Sequence, residues 1–204
     1  MSWHRHPVIS KRFRGYLPVV VDVETGGLHH QTDALLELAA SIIEMDEYGR
    51  LSPGEIIHYH INPFPGARLD PESLKLNRID PTHPFRFALD EREALNDFFQ
   101  QVSNHVKRAH CDRAVLVGHN AWFDLFFLNA ASTRCEFKQT PFHRFTSLDT
   151  ASISAIALGQ TVLAKAVKAA GLSFNPEEAH SAIYDCQKTA DLFCYIANNF
   201  KLVG

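Results

Sequence analysis

Three features of the chain predict an α/β fold built on a mixed central sheet. Residues 19–23 read VVVDV, a β-branched run of the kind that forms a strand buried on both faces. Two more strand-like stretches follow at 34–45 and 55–61, joined by a connection too short for a crossover, so the first three strands should be antiparallel. Beyond residue 90, amphipathic helical patterns alternate with short apolar runs, which adds helices and parallel strands.

The bulk properties fit this architecture. At 204 residues, 46% hydrophobic and 21% charged, the chain suits one domain with a sizeable core and not a disordered polymer. Cys111, Cys135, Cys186 and Cys194 show no CxxC spacing and read as reduced thiols, neither a disulfide frame nor a zinc site. No stretch approaches the roughly 18 apolar residues that span a bilayer, and no signal-peptide pattern opens the chain. A cytoplasmic protein with no membrane partner is expected.

The elements follow in order. Residues 1–15 hold Arg5, Lys11, Arg12 and Arg14 and no acid, and read as a basic arm preceding a domain over 16–200. The first strand spans Tyr16–Val23, and Thr25, Gly26 and Gly27 end it. Tyr48, Gly49, Pro53 and Gly54 mark the hairpin between the second and third strands. Residues 62–87 carry five prolines, at 63, 65, 71, 81 and 84, and predict an irregular excursion with one helical piece near 71–76. Asp90 should cap a helix to about Lys107, with Leu95, Phe98, Phe99 and Val102 on its buried stripe. A short strand is expected at 114–117, then a turn in which Asn120 caps a helix through Asn129, and an edge strand over 145–149. Helices complete the chain at about 150–158, 161–170 and 181–199.

Acidic residues interrupt these apolar elements. Asp22 and Glu24 stand two apart on the first strand and share a face, where they need a common cation, a raised pKa or a nearby arginine. Asp124 and Asp185 each fall in the first turns of apolar helices. A helix N-terminus favours an acid and would explain either one alone. Four carboxylates converging would instead bind two Mg²⁺ or Mn²⁺ ions, since hard cations take oxygen ligands, and such a pair serves phosphodiester hydrolysis. His180 lies just before the last helix, free to swing over such a site as a general base. His58 and His60 could share a strand face, but with no Cys or third His nearby they do not predict a zinc site.

Net charge is −3, so any nucleic-acid surface must come from clustering. Lys107, Arg108 and Arg113 form one cationic group, and Arg134, Lys138 and Arg144 another. They make a phosphate-binding surface if the fold gathers them and plain solvated charge if it does not.

DVETGG at 22–27, GHNAWFD at 118–124 and HSAIYD at 180–185, in this order, resemble the three motifs of the DEDD exonucleases, a DnaQ-like superfamily. His180, five residues before the last Asp, marks the DEDDh branch. RFRGYLPVVVDVETGGL, TDALLELAA, NPFPGA, NRIDP, NPEEAHSAIYD and ALGQTVLAKA resemble an RNA-trimming group within it, from about Arg12 to Phe200. The resemblance implies a ribonuclease H-like fold and a 3′→5′ exoribonuclease. Such an enzyme trims single-stranded 3′ ends of tRNA, ribosomal RNA precursors and other stable RNAs, and also acts on single-stranded DNA. Asp22, Glu24, Asp124 and Asp185 would hold two Mg²⁺ ions, or Mn²⁺, and His180 would be the base.

The resemblance further implies stacking of terminal bases by Phe123 and Phe145, which on pattern alone read rather as core packing, and a contact from Glu72. Leu28 and Leu76 stand where that family usually carries Phe; leucine keeps apolar contact but has no π face. A homodimer is implied as well, with Arg12, Arg14, Lys107, Arg113 and Lys138 of one subunit feeding RNA to the other. Alternatives left open are a proofreading DNA exonuclease subunit, an oligoribonuclease, or a non-catalytic nucleic-acid-binding module.

Overall fold

The computed structural model describes residues 8–200. The β-branched run lies in β1 (Tyr16–Thr25), whose Val19, Val20 and Val21 have essentially no exposure, so the strand must be covered on both faces. Covering it edgewise on one side are β2 (Leu35–Met45), antiparallel to β1, and β3 (Leu51–His60), antiparallel to β2. On the other side β4 (Arg113–Gly118) and β5 (Phe142–Asp149) run parallel to it, giving the order β3-β2-β1-β4-β5. The predicted mixed sheet is therefore present. The edge strand starts at Phe142 rather than Phe145 because Phe142 is buried and stacks on Phe98, with ring centroids 5.7 Å apart.

The first part of the expected arm, residues 1–7, lies outside the described residues. Residues 8–15 do not reach away from the domain: α1 (Ile9–Arg12) buries Ile9 in the core. In the excursion, α2 (Pro71–Asn77) begins with Asp70 accepting from the Glu72 amide at 3.2 Å. The helix α3 (Glu91–Arg108) buries the predicted stripe, although Asp90, at the N-cap position, makes no side-chain capping bond. The next helix, α4 (Trp122–Arg134), starts later than expected. Asn120 adopts a left-handed φ of 65° and leaves Ala121 at the cap. The remaining helices are α5 (Thr150–Leu158), α6 (Leu163–Ala169) and α7 (Ala182–Asn199).

Two helical layers sandwich the sheet. Tyr59 of β3 donates to Asp97 of α3 at 2.7 Å and packs its ring on Phe98, and Arg134 at the end of α4 pairs with Glu91 of α3, so α3 and α4 share one face. On the other face α7 crosses diagonally. Asp185 at its start approaches β1, while Asn198 near its end exchanges 2.8 Å hydrogen bonds with Leu51, at the far end of β3. The layers meet beyond the C-terminal ends of β1 and β4, between neighbours that the chain leaves in opposite directions. In open α/β sheets this is where ligands bind.

Candidate active site

The antiparallel register sets Asp22 opposite Ala39 and Glu24 opposite Glu37. Side chains directly opposite across such a pair share a face, so both acids of β1 point toward α7. There Asp185, in the first turn of α7, brings a carboxylate oxygen within 4.8 Å of those of Asp22 and Glu24. Asp124 arrives around the end of the sheet from α4. Its Oδ1 accepts the Val23 amide at 3.1 Å, which fixes the acid at the backbone of β1, close enough for its charge to act on Asp22 and Glu24 but outside the tight cluster of the other three. The structure thus gathers all four predicted acids.

Their electrostatics are unfavourable as they stand. Burial first, then Asp124, Glu24 and Asp185, hold the Asp22 carboxyl well above its ordinary range. Burial and then Asp185 and Glu37 push Glu24 up to about 8. Asp124 is likewise pushed up to about 8, mainly by burial and against the amides that bind it. Burial raises Asp185 too, opposed by the His180 amide, which donates to its Oδ2 at 2.9 Å. The other oxygen, Asp185 Oδ1, is buried with no hydrogen-bond partner. An orphaned carboxylate oxygen aimed at two further carboxylates fits divalent cations with oxygen ligands.

His180 occupies the loop before α7 in a left-handed conformation, φ 65°. Its side chain lines a 400 Å³ groove with Asn77 and Tyr184, and Arg78 closes one side by donating to the Glu177 carbonyl at 3.1 Å.

Around this centre the predicted substrate residues divide. Leu28 and Leu76 are 74% and 60% exposed, and α2, which carries Glu72 and Leu76, is docked on the end of β1. The clamp is Asn77. Its Nδ2 donates to the Thr25 carbonyl at 3.0 Å and its Oδ1 accepts the Ile79 amide at 3.2 Å. Phe123 is partly buried, packed on Phe127 with centroids 4.9 Å apart.

Phe145 is elsewhere. It is 80% exposed near the other end of the sheet, beside a 620 Å³ groove lined by Arg113, Lys138 and Arg144, with Arg14 adjoining. From Arg113 to the Gly118 end of β4 is roughly 17 Å of strand. Lys107 is exposed near the end of α3. Arg12 does not join this face: its guanidinium donates to the carbonyls of Gly49 and Ala197 and ties three segments together. Arg134 is also diverted, held by Glu91 at 2.6 Å and stacked 3.9 Å over Phe64.

One residue that reads in the sequence only as the end of a strand proves central to the site. Asp149 Oδ1 accepts the amides of Asn120 and Ala121 at 2.8 and 3.3 Å and also that of Ala151. A single carboxylate thus orders the turn leading into α4 and caps α5. The signal was available, since an acid directly before TASISAIAL is an N-cap pattern.

Comparisons with known proteins give the chain's family and fold. Residues 19–193 match the RNase_T exonuclease family. The chain is 55% identical over 197 residues to a ribonuclease T of Vibrio campbellii, covering 96% of this chain and 92% of that protein. It is 52% identical to a ribonuclease T of Photorhabdus laumondii, covering 97% and 91%, and 50% identical to one of Shewanella oneidensis, covering 96% and 88%. Among solved structures, E. coli Exonuclease I in complex with a dT13 oligonucleotide superposes with a TM-score of 0.66 at 17% identity, over 89% of this chain and 41% of that one. That likeness bears on the fold, and it agrees with a ribonuclease H-like sheet. By sequence along nearly its whole length, the chain belongs to the ribonuclease T family of exonucleases, hydrolases of nucleic-acid phosphodiesters.

Proposed function

We propose that this enzyme is a metal-dependent 3′→5′ exoribonuclease of the cytoplasm that trims single-stranded 3′ ends of tRNA and other stable RNAs and also acts on single-stranded DNA. The observation that carries the reading is the convergence of Asp22, Glu24 and Asp185, with Asp185 Oδ1 unpartnered, and of Asp124 bound to the amide of Val23 beside them. Two Mg²⁺ ions held by these oxygens, or Mn²⁺, would supply an activated water and a stabilised leaving oxygen. His180, on its loop at the rim, takes the proton from the attacking water. Leu28, Leu76, Glu72 and Phe123 surround the terminal nucleotide.

The basic face of Arg14, Arg113, Lys138 and Arg144 with Phe145 supports a homodimer. It lies at the Arg113 end of β4, away from its own carboxylates, where in a dimer it would be open to RNA entering the partner's site. The decisive experiment follows a labelled tRNA carrying extra 3′ nucleotides, with wild type and Asp22→Ala, in Mg²⁺ and in EDTA. Stepwise shortening that needs both the metal and Asp22 is expected; shortening that persists in the variant or in EDTA refutes the reading.

A further inference from the structure

The face that carries Asp22 and Glu24 does not end at β1. Glu37 lies opposite Glu24, His60 opposite Glu37, and His58 opposite Ala39, so Glu37, His58 and His60 continue the same face across β2 and β3. Because α7 runs diagonally toward the Leu51 end of β3, it leaves this corner partly open: the side chains of His58, His60 and Glu37 are 19%, 40% and 14% exposed.

The two imidazoles address the two oxygens of one carboxylate. His60 Nδ1 lies 3.0 Å from Glu37 Oε1, and His58 Nε2 lies 3.7 Å from Oε2, with the rings edge to face at 4.6 Å. Around a zinc ion with ligands at about 2.0–2.1 Å, tetrahedral donors stand roughly 3.3 Å apart; here each imidazole faces its own carboxylate oxygen, and one donor atom from each residue lies within 4.8 Å of the other two. The approach at 3.0 Å satisfies His60. It leaves His58 Nε2, a buried nitrogen, with no hydrogen-bond partner. Arg86, whose charge acts on Glu37 and His60, is turned to the carbonyls of Leu36 and Ile61.

We infer that Glu37, His58 and His60 form a second metal site, separate from the four-carboxylate centre and of softer donor chemistry, that takes a zinc-class ion with a water in the fourth position. Nitrogen ligands select such ions, whereas the oxygen-only centre beside it suits magnesium or manganese. A cation here partners His58 Nε2, joins β2 to the edge strand β3, and offsets the like charges of Glu24 and Glu37 across the strand pair. This inference does not rest on the exonuclease reading.

Cobalt(II) tests it, because a tetrahedral nitrogen-rich site gives intense visible absorption that an all-oxygen site does not. Full-length protein stripped with EDTA and dialysed is titrated with CoCl₂ alone, as wild type, Asp22→Asn, His58→Gln and His60→Gln, with circular dichroism to verify folding. The expected result is a saturable tetrahedral band at one equivalent, displaced by ZnCl₂, present in Asp22→Asn, and lost or weakened roughly tenfold or more in affinity in the folded histidine variants. A wild type with no tetrahedral band, or a band that survives in both histidine variants, overturns the inference whatever the nuclease activity.

Discussion

The Val23 amide donates to Asp124 Oδ1 at 3.1 Å, so the backbone of β1 holds the helix acid that stands beside the strand's own two carboxylates. Asparagine at 124 keeps an acceptor for that amide and removes a buried carboxyl that is costly to ionise. Asp124→Asn should therefore melt, without metal, at or above the wild-type temperature, while hydrolysis falls more than about 100-fold. Asp124→Ala strands the Val23 amide as well and should cost about 1–3 kcal/mol. Thermal melts beside single-turnover cleavage separate the two effects, and wild-type turnover in the asparagine variant would remove Asp124 from the site.

Stability of the metal-free protein should fall with rising pH. Glu24 and Asp124 have ordinary values of 4.5 and 3.8 and are raised to about 8 in the fold. The folded state then binds more protons than the unfolded chain, so stability declines between the unfolded and folded values. His60 and His119, lowered mainly by burial from 6.5, act in the opposite sense below that pH. The decline is cleanest from pH 6.5 to 8. Melting in EDTA across that interval should drop, and Mg²⁺ should recover more at pH 8 than at pH 6.5; a flat profile in EDTA contradicts the buried charges.

Asn77 joins α2 to the end of β1 by donating its buried side-chain amide to the Thr25 carbonyl, and it steadies the end of the helix by accepting the Ile79 amide. Asn77→Ala should lose about 1–3 kcal/mol locally and release the helix that carries Glu72 and Leu76. Steady-state kinetics should show KM rising several-fold with kcat nearly kept. A fall confined to kcat would place Asn77 in the chemistry instead.

Arg12 and Arg14 are two residues apart and should behave differently. Arg12→Ala breaks bonds to two carbonyls and should destabilise by about 1–3 kcal/mol, with the salt dependence of RNA binding unchanged. Arg14→Ala with Arg113→Ala should leave stability alone and lower the salt slope by roughly 0.7 for each phosphate that is no longer neutralised. Binding isotherms at several salt concentrations decide between these assignments.

The sheet was legible because its signals are local: a β-branched run for β1, alternation in β3, and a connection too short for a crossover between β2 and β3. The acids were legible because each interrupts an apolar element, which binary patterning exposes. What the sequence hid depends on long-range placement. Arg12 and Arg14 look alike until Gly49 and Ala197 are brought beside one of them. The cap that Asp149 gives α5 could be read from the residues beside it, but its hold on the turn before α4 could not, because those amides lie 28 and 29 residues away. Glu37 reads as a polar residue in a core strand until the register sets it between Glu24 and the two histidines.

Because Asp185 belongs to α7, the final helix described, the order of synthesis bears on when the enzyme becomes dangerous. A chain emerging from the ribosome presents Asp22, Glu24 and Asp124 long before the residue that completes the set. On the proposed four-carboxylate reading an unfinished copy lacks its last acid, and a product truncated before residue 182 should not cleave nucleic acid.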